Sequence, residues 1–209
     1  MYTHHLEYVK NYLIKNGGYY PPNPQYNFRC KYEHTLRVLH WCKILADENP
    51  TVDKETLYLA AIFHDVAYEG NGDNSNHAQK SANIFSEYAK ENGMDITLTE
   101  RVAYLVKMHS NKELLQESST LPELIILMEA DLLDEEGALR IIWYCATKGI
   151  QGANSYRELY DFIQMGTNKR LTNPMVTPLA RTIWEDKFNF VNKFSKELLF
   201  DINIDVSFL

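Results

Sequence analysis

Apolar residues recur along this chain at helical spacing, and no useful stretch alternates apolar and polar positions as a half-buried strand would. The pattern predicts an all-α fold. A first helix is expected from about Thr3 to Asn16, stopped by Gly17-Gly18, because the following stretch from Tyr19 to Tyr26 contains three prolines. A second runs from about Cys30 to Glu48 and carries His34, Val38, Trp41 and Leu45 on one stripe. A third covers about Lys54 to Ala67. Gly and Asn content marks Glu69 to Asn76 as a loop, with Ser75 or Asn76 capping a fourth helix from His77 to Gly93. Thr97 or Thr99 opens a fifth helix that leads to His109, and a sixth starts after Thr120-Leu121-Pro122-Glu123. From about Ala138 to Phe200 the chain reads as three helical blocks, broken near Gly149, Asn173-Pro174 and Pro178. There is no heptad pattern, no low-complexity linker and no repeat at solenoid periods. One helical-bundle domain over residues 1–209 is expected, with a core at about 29–137 and helices from 138–209 packing on it.

Three places break this pattern. His64-Asp65 ends the apolar run Leu57-Tyr58-Leu59-Ala60-Ala61-Ile62-Phe63. Asp131 interrupts Leu124-Ile125-Ile126-Leu127-Met128-Glu129-Ala130-Asp131-Leu132-Leu133, and His34 lies on the core-facing stripe of the second helix. An ionised carboxylate in an apolar helix is costly unless something pairs with it, and a divalent cation suits carboxylate and imidazole together. Three helices can therefore bring two imidazoles and two carboxylates to one point. Mn, Fe, Zn, Co and Mg are all chemically admissible there, with positions left for water and substrate.

The ordered set of Glu33-His34-Thr35-Leu36-Arg37-Val38, then Phe63-His64-Asp65, then Glu129-Ala130-Asp131-Leu132-Leu133-Asp134 resembles the HD superfamily of metal-dependent phosphohydrolases. That family is defined by a His, a His-Asp doublet and a distant Asp on an all-helical scaffold. The spacings, 30 residues between the histidines and 66 between the aspartates, are typical of it. The resemblance implies that His34, His64, Asp65 and Asp131 bind the metal, and that a water acidified by the cation attacks a phosphoester or phosphoanhydride of a small substrate, with a nucleotide expected. Some members hold a second metal on two further histidines, and His77 and His109 fall in the corresponding interval. They are expected to line the site, for a second metal or for phosphate, with one ion rather than two.

Around these, Asp65 is both ligand and acceptor of the water proton, and Glu69 on the adjoining loop is a candidate acid or base, with Asp73 behind it. Arg37 stands about one turn from His34 and Lys80 one turn from His77, so either could receive phosphate or be a solvated surface charge. Tyr19 and Tyr20 open an aromatic loop that either stacks on a base as a lid or is pinned to the surface by its own rings.

Composition narrows the partners. A formal charge of −7 excludes an extended nucleic-acid footprint, which needs clustered Lys and Arg. Cys30, Cys42 and Cys145 form no close pair, which argues against a disulfide framework and for a reducing cytoplasm. No stretch reaches about 18 uncharged apolar residues, so no membrane segment is expected. The expected partner is a small phosphorylated substrate; oligomeric state is open, a homodimer included. Two other functions share these residues: a di-iron oxygenase on the same scaffold, or a non-catalytic metal- or nucleotide-binding signalling module.

Overall fold

The computed structural model describes residues 2–20, 24–69 and 74–203. Among them are nine α-helices and no strand: α1 Thr3–Lys15, α2 Lys31–Asp47, α3 Lys54–Phe63, α4 His77–Glu91, α5 Ile96–Met108, α6 Pro122–Asp134, α7 Ala138–Ile150, α8 Tyr156–Asn168 and α9 Pro178–Ile202. The all-α expectation holds. Two compact units divide the chain, residues 1–134 and 135–209.

In the first unit α3 is the hub, packed against α1, α2, α5 and α6, while α2 also lies on α6 and α4 on α5. The sequence of α3 explains this position, since Leu57, Leu59, Ala60, Ala61, Ile62 and Phe63 are all buried and only Lys54, Glu55 and part of Tyr58 face solvent. Its N-terminus is fixed by charge. Asp53 caps it by accepting from the backbone N–H groups of Glu55 and Thr56, receives Arg101 of α5 at 2.8 Å, and donates its own N–H to Glu123 of α6 at 2.8 Å. One cap thus sets the phase of three helices. Above Phe63 lies an aromatic cluster of Phe85, Tyr88 and Tyr8, in which the ring centroids of Phe63 and Phe85 are 4.9 Å apart.

In the second unit α8 packs on α7 and α9 around Ile141, Ile163 and Val191, joined by Tyr144, Cys145, Phe194 and Leu198. Gly166 lies directly against the Tyr144 ring, where a Cβ would come within 2.2 Å of it. Glu136 is buried and paired with Arg140 and Arg170.

Several boundaries differ from the periodicity reading, each for a local reason. α3 ends at Phe63 rather than Ala67, and His64 to Ala67 form tight turns in which Val66 and Tyr68 donate to Phe63 and Asp65. Asp95, not Thr97 or Thr99, caps α5 by accepting from Leu98 at 2.9 Å. Asn76 makes no side-chain cap on α4. Gly149 does not break α7, which continues to Ile150 and turns at Gly152 with φ +85°. Asp73 and the Pro21-Pro22-Asn23 part of the aromatic loop lie outside the described residues.

Gly18 is the position where the absence of a side chain matters most to the first unit. A Cβ there would stand 1.8 Å from the backbone oxygen of Tyr68, three residues beyond Asp65. Backbone cannot swing aside as a side chain can. Gly18→Ala should therefore lower the urea midpoint, corresponding to about 1–3 kcal/mol of overpacking. An unchanged midpoint would show that the loop after α1 does not abut the turn after Asp65.

Candidate metal centre

Six donor side chains converge in the first unit from five helices or helix ends. His34 sits inside α2 and Asp131 inside α6; His64 follows the last residue of α3 and His109 that of α5; His77 opens α4; Asp65 begins the tight turns after His64. The four ligands expected from sequence come together. His34 Nε2 lies 3.2 Å from His64 Nε2, 3.4 Å from Asp131 Oδ1 and 3.5 Å from Asp65 Oδ2. His77 and His109 join from the other side, with Nε2 at 3.2 and 3.5 Å from Asp65 Oδ1. Two overlapping sets, His34, His64 and Asp131, and His64, Asp65 and His109, each place their ligand atoms within 4.8 Å of one another.

The imidazoles are oriented by a device used three times. His64 Nδ1 donates to Ala61 O, His77 Nδ1 to Asn74 O and His109 Nδ1 to Val106 O, each at 2.7 Å and each to the carbonyl three residues earlier. A carbonyl only accepts, so Nδ1 carries the proton and Nε2 presents a lone pair to the centre. At the ends of α3 and α5 the same bond satisfies a last-turn carbonyl. The ring of His34 is set by a carboxylate instead: its Nδ1 meets Asp134 Oδ2 at 2.8 Å, and Arg37 holds Asp134 through Nε–Oδ1 at 2.7 Å and Nη2–Oδ2 at 3.0 Å. The turn after the doublet is tied to α4 where Ala67 N–H donates to Ser81 Oγ at 3.0 Å.

A divalent cation fits this arrangement, and the best test is Asp65 Oδ1. It is buried, has no hydrogen-bond donor of acceptable geometry, and lies 3.2 and 3.5 Å from the Nε2 atoms of His77 and His109. Such an oxygen is costly without a positive partner. The protonation pattern agrees. Burial pushes His64 down to about 3, despite the Asp65 charge, so it is a neutral donor at any working pH. Burial and the Lys31 ammonium also press His34 down, but its contacts with Asp131, Asp134 and Asp65 outweigh them and raise it to about 10. Burial would raise Asp65 and Asp131; Lys31 and the imidazoles around Asp65, and Lys112 and His34 beside Asp131, hold both well below the ordinary carboxylate range. Positive charge gathers wherever the acids face inward.

Other residues singled out by sequence are placed elsewhere. Arg37 is engaged with Asp134, where it steadies the partner of His34. Glu69 and Lys80 face each other at 3.4 Å, and with Tyr12, Asn16, Ala67, Asn83 and Ile84 line a cavity of about 260 Å³. Tyr19 stacks on Tyr32 at 6.2 Å and meets Tyr20 edge-on at 4.7 Å, while Tyr20 remains about half exposed. Three residues escaped the sequence reading. Lys31 contacts Asp65, Lys112 Nζ lies 2.7 Å from Asp131 Oδ2, and Asp134 orients His34. Lys31 is one turn before His34 and Asp134 one turn after Asp131, so helical phase could have found both; Lys112, in a short turn after α5, carries no periodic signal.

Comparison with known proteins bears on the family and the fold. The family model of the HD domain matches residues 32–136, just over half of the chain. A bifunctional uridylyltransferase/uridylyl-removing enzyme of Haemophilus influenzae is 27% identical over 163 residues, covering 68% of this chain and 18% of that enzyme. The chain thus spans less than a fifth of that relative's length. A solved HD superfamily hydrolase from an uncultured Thermotogales bacterium superposes with a TM-score of 0.63 at 22% identity, covering 94% of this chain and 92% of its own. Bacillus subtilis YpgQ, solved in complex with ADP, gives 0.63 at 18% identity over 96% and 94%. At these identities the two structures establish the shared fold.

Because a cation needs the Nε2 lone pair that the raised His34 keeps protonated near neutrality, metal uptake should release a proton. Apparent affinity for Mn²⁺ should rise with pH between 6 and 9, and titration calorimetry should give heats that depend on the buffer's ionisation enthalpy. Heats independent of buffer would remove His34 from the ligand set.

Proposed function

The chain belongs to the HD domain family, and we propose that it is a metal-dependent phosphohydrolase acting on a small phosphorylated compound, with a nucleotide as the substrate class. The observation that carries the reading is Asp65 Oδ1, a buried oxygen without a donor at the point where four imidazoles and two carboxylates meet. His34, His64, Asp65 and Asp131 would hold the cation, with His77 and His109 lining the opposite side. A divalent cation in such a centre acidifies water and offsets the charge gathering on a phosphoryl group.

The chain's own residues do the rest. Asp65 is the group we assign to take the water proton, with Lys31 on its Oδ2. Its depressed basicity in the metal-free centre reflects Lys31 and the imidazoles around it, so it acts as a relay rather than a strong base. His77 is raised by the Asp65 carboxylate, which makes its Nε2 a ready proton carrier at the rim. The Nδ1–carbonyl bonds keep each imidazole from rotating during the step. Glu69 serves this mechanism only from the cavity it shares with Lys80, outside the donor cluster. Nucleotide specificity draws support from the relatives: one removes uridylyl groups, and one structural neighbour is seen with ADP.

The test is a screen of nucleoside mono-, di- and triphosphates with Mn²⁺, Mg²⁺, Co²⁺, Fe²⁺ or Zn²⁺, using His64→Ala as the blank. Phosphate or pyrophosphate release that chelator abolishes, and that His64→Ala lowers by about a hundredfold or more, is the expected result. Release that is equal in the variant, or oxygen uptake by protein carrying two irons, would refute it.

A further inference from the structure

Lys31 and Lys112 are not accounted for by the donor cluster once a cation is placed in it. Lys31 opens α2 with its ammonium on Asp65 Oδ2 and 4.3 Å from the centre of the Tyr68 ring. Lys112 reaches Asp131 Oδ2 at 2.7 Å from the short turn after α5. Both acids therefore have an ammonium on one oxygen and an imidazole on the other side.

The charge count is decisive. With a divalent ion among neutral imidazoles, its two positive charges are met by Asp65 and Asp131. Asp134 is met by Arg37, and Glu69 by Lys80. Lys31 and Lys112 are then two surplus positive charges at one centre. Position adds to this: the Lys31 and Lys112 side chains are 19% and 29% exposed, as Asp131 and His77 are at 23% and 21%, against 6% for Asp65 and 0% for His64, so both ammoniums stand at the solvent-accessible part of the centre. An ammonium is a compact charge on a flexible stem with three donors, able to turn from a carboxylate to an incoming oxygen without backbone movement.

We propose that Lys31 and Lys112 together receive a dianionic phosphoryl group, so that the substrate is a phosphomonoester or the terminal phosphate of a longer chain rather than a phosphodiester. This rests on the reading of the centre as a site for a divalent cation. A diester has one charge to give and would leave one ammonium uncompensated at a partly desolvated site. The Tyr68 ring face limits how far Lys31 can swing and keeps its charge beside the cluster.

The experiment is calorimetric titration of methyl phosphate and dimethyl phosphate into Mn²⁺-loaded protein, with metal content measured on every sample. Wild type should bind methyl phosphate and not dimethyl phosphate. Lys31→Met and Lys112→Met should each weaken methyl phosphate about tenfold or more, as loss of a charge-assisted hydrogen bond does, while Lys31→Arg retains most of the affinity. Both Met variants should keep the metal, because removing a competing ammonium exposes a carboxylate oxygen. Equal methyl phosphate affinity across the variants overturns the proposal. So does equal binding of the diester, and so does loss of metal together with phosphate, which would make the lysines supports of the cation site. Lysine-dependent phosphate binding without turnover of any phosphoester would leave this inference standing and sink the hydrolase reading; turnover with lysine-independent binding does the reverse.

Discussion

Two carboxylates, Asp65 and Asp131, are held in the interior of a helical bundle, and the first unit is arranged so that they are never without positive charge. Placing an ionised acid in an apolar interior costs several kcal/mol unless it is paired. Around these two stand His34, His64, His77, His109, Lys31 and Lys112, all within 3.5 Å of a carboxylate oxygen. A core composed only of Leu, Ile, Val and Phe would be easier to stabilise, so packing does not account for the acids.

The backbone solves the geometric problem with helix ends. A residue inside a helix is held by hydrogen bonds on both sides and can offer only the face its phase allows, as His34 and Asp131 do. A residue at a terminus has more freedom, and the structure spends it on His64, His109 and His77. Each imidazole bonds the carbonyl three residues before it, so one contact fixes ring plane, tautomer and, for α3 and α5, the end of the helix. Asp53 does the corresponding work at the far end of α3, binding α5 and α6 to the helix that delivers the doublet. The cap and the doublet sit at opposite ends of a ten-residue helix, which makes α3 a lever whose placement is determined at both termini.

What could be read from the chain follows from this. Helical periodicity gave the all-α class and the approximate elements, and the misfit of His34, His64-Asp65 and Asp131 within apolar stripes gave the four residues that meet. Those signals are local, because a polar residue on an apolar face is visible within one helix. Lys112 and the Glu69–Lys80 pair depend on how separate segments are brought together, and no one-dimensional pattern encodes that. Arg37 is instructive: one turn from His34 its position fits a phosphate ligand or a solvated surface charge, and tertiary packing supplies Asp134 as its partner. The end of α3 at Phe63 was hidden for another reason. His64 to Ala67 contain no Gly or Pro to stop a helix, and only the turn bonds from Val66 and Tyr68 end it.

The opposed shifts of His34 and His64 tie these threads together. Their Nε2 atoms are 3.2 Å apart, and two imidazolium ions cannot share that space, so the pair holds one proton between them. His34 has it, because Asp131, Asp134 and Asp65 surround that ring, while His64, fully buried with the His109 and His34 imidazoles beside it, stays neutral. The proton on His34 Nε2 thus stands where the acceptors converge, between His64 Nε2 and the two carboxylates. A proton can bond one acceptor well; Asp65 Oδ1, on the far side, is left unserved. A cation with several coordination positions satisfies all of them at once. The same exchange would replace one positive charge by two, and that added charge, with Lys31 and Lys112 already present, would draw an anion to the centre.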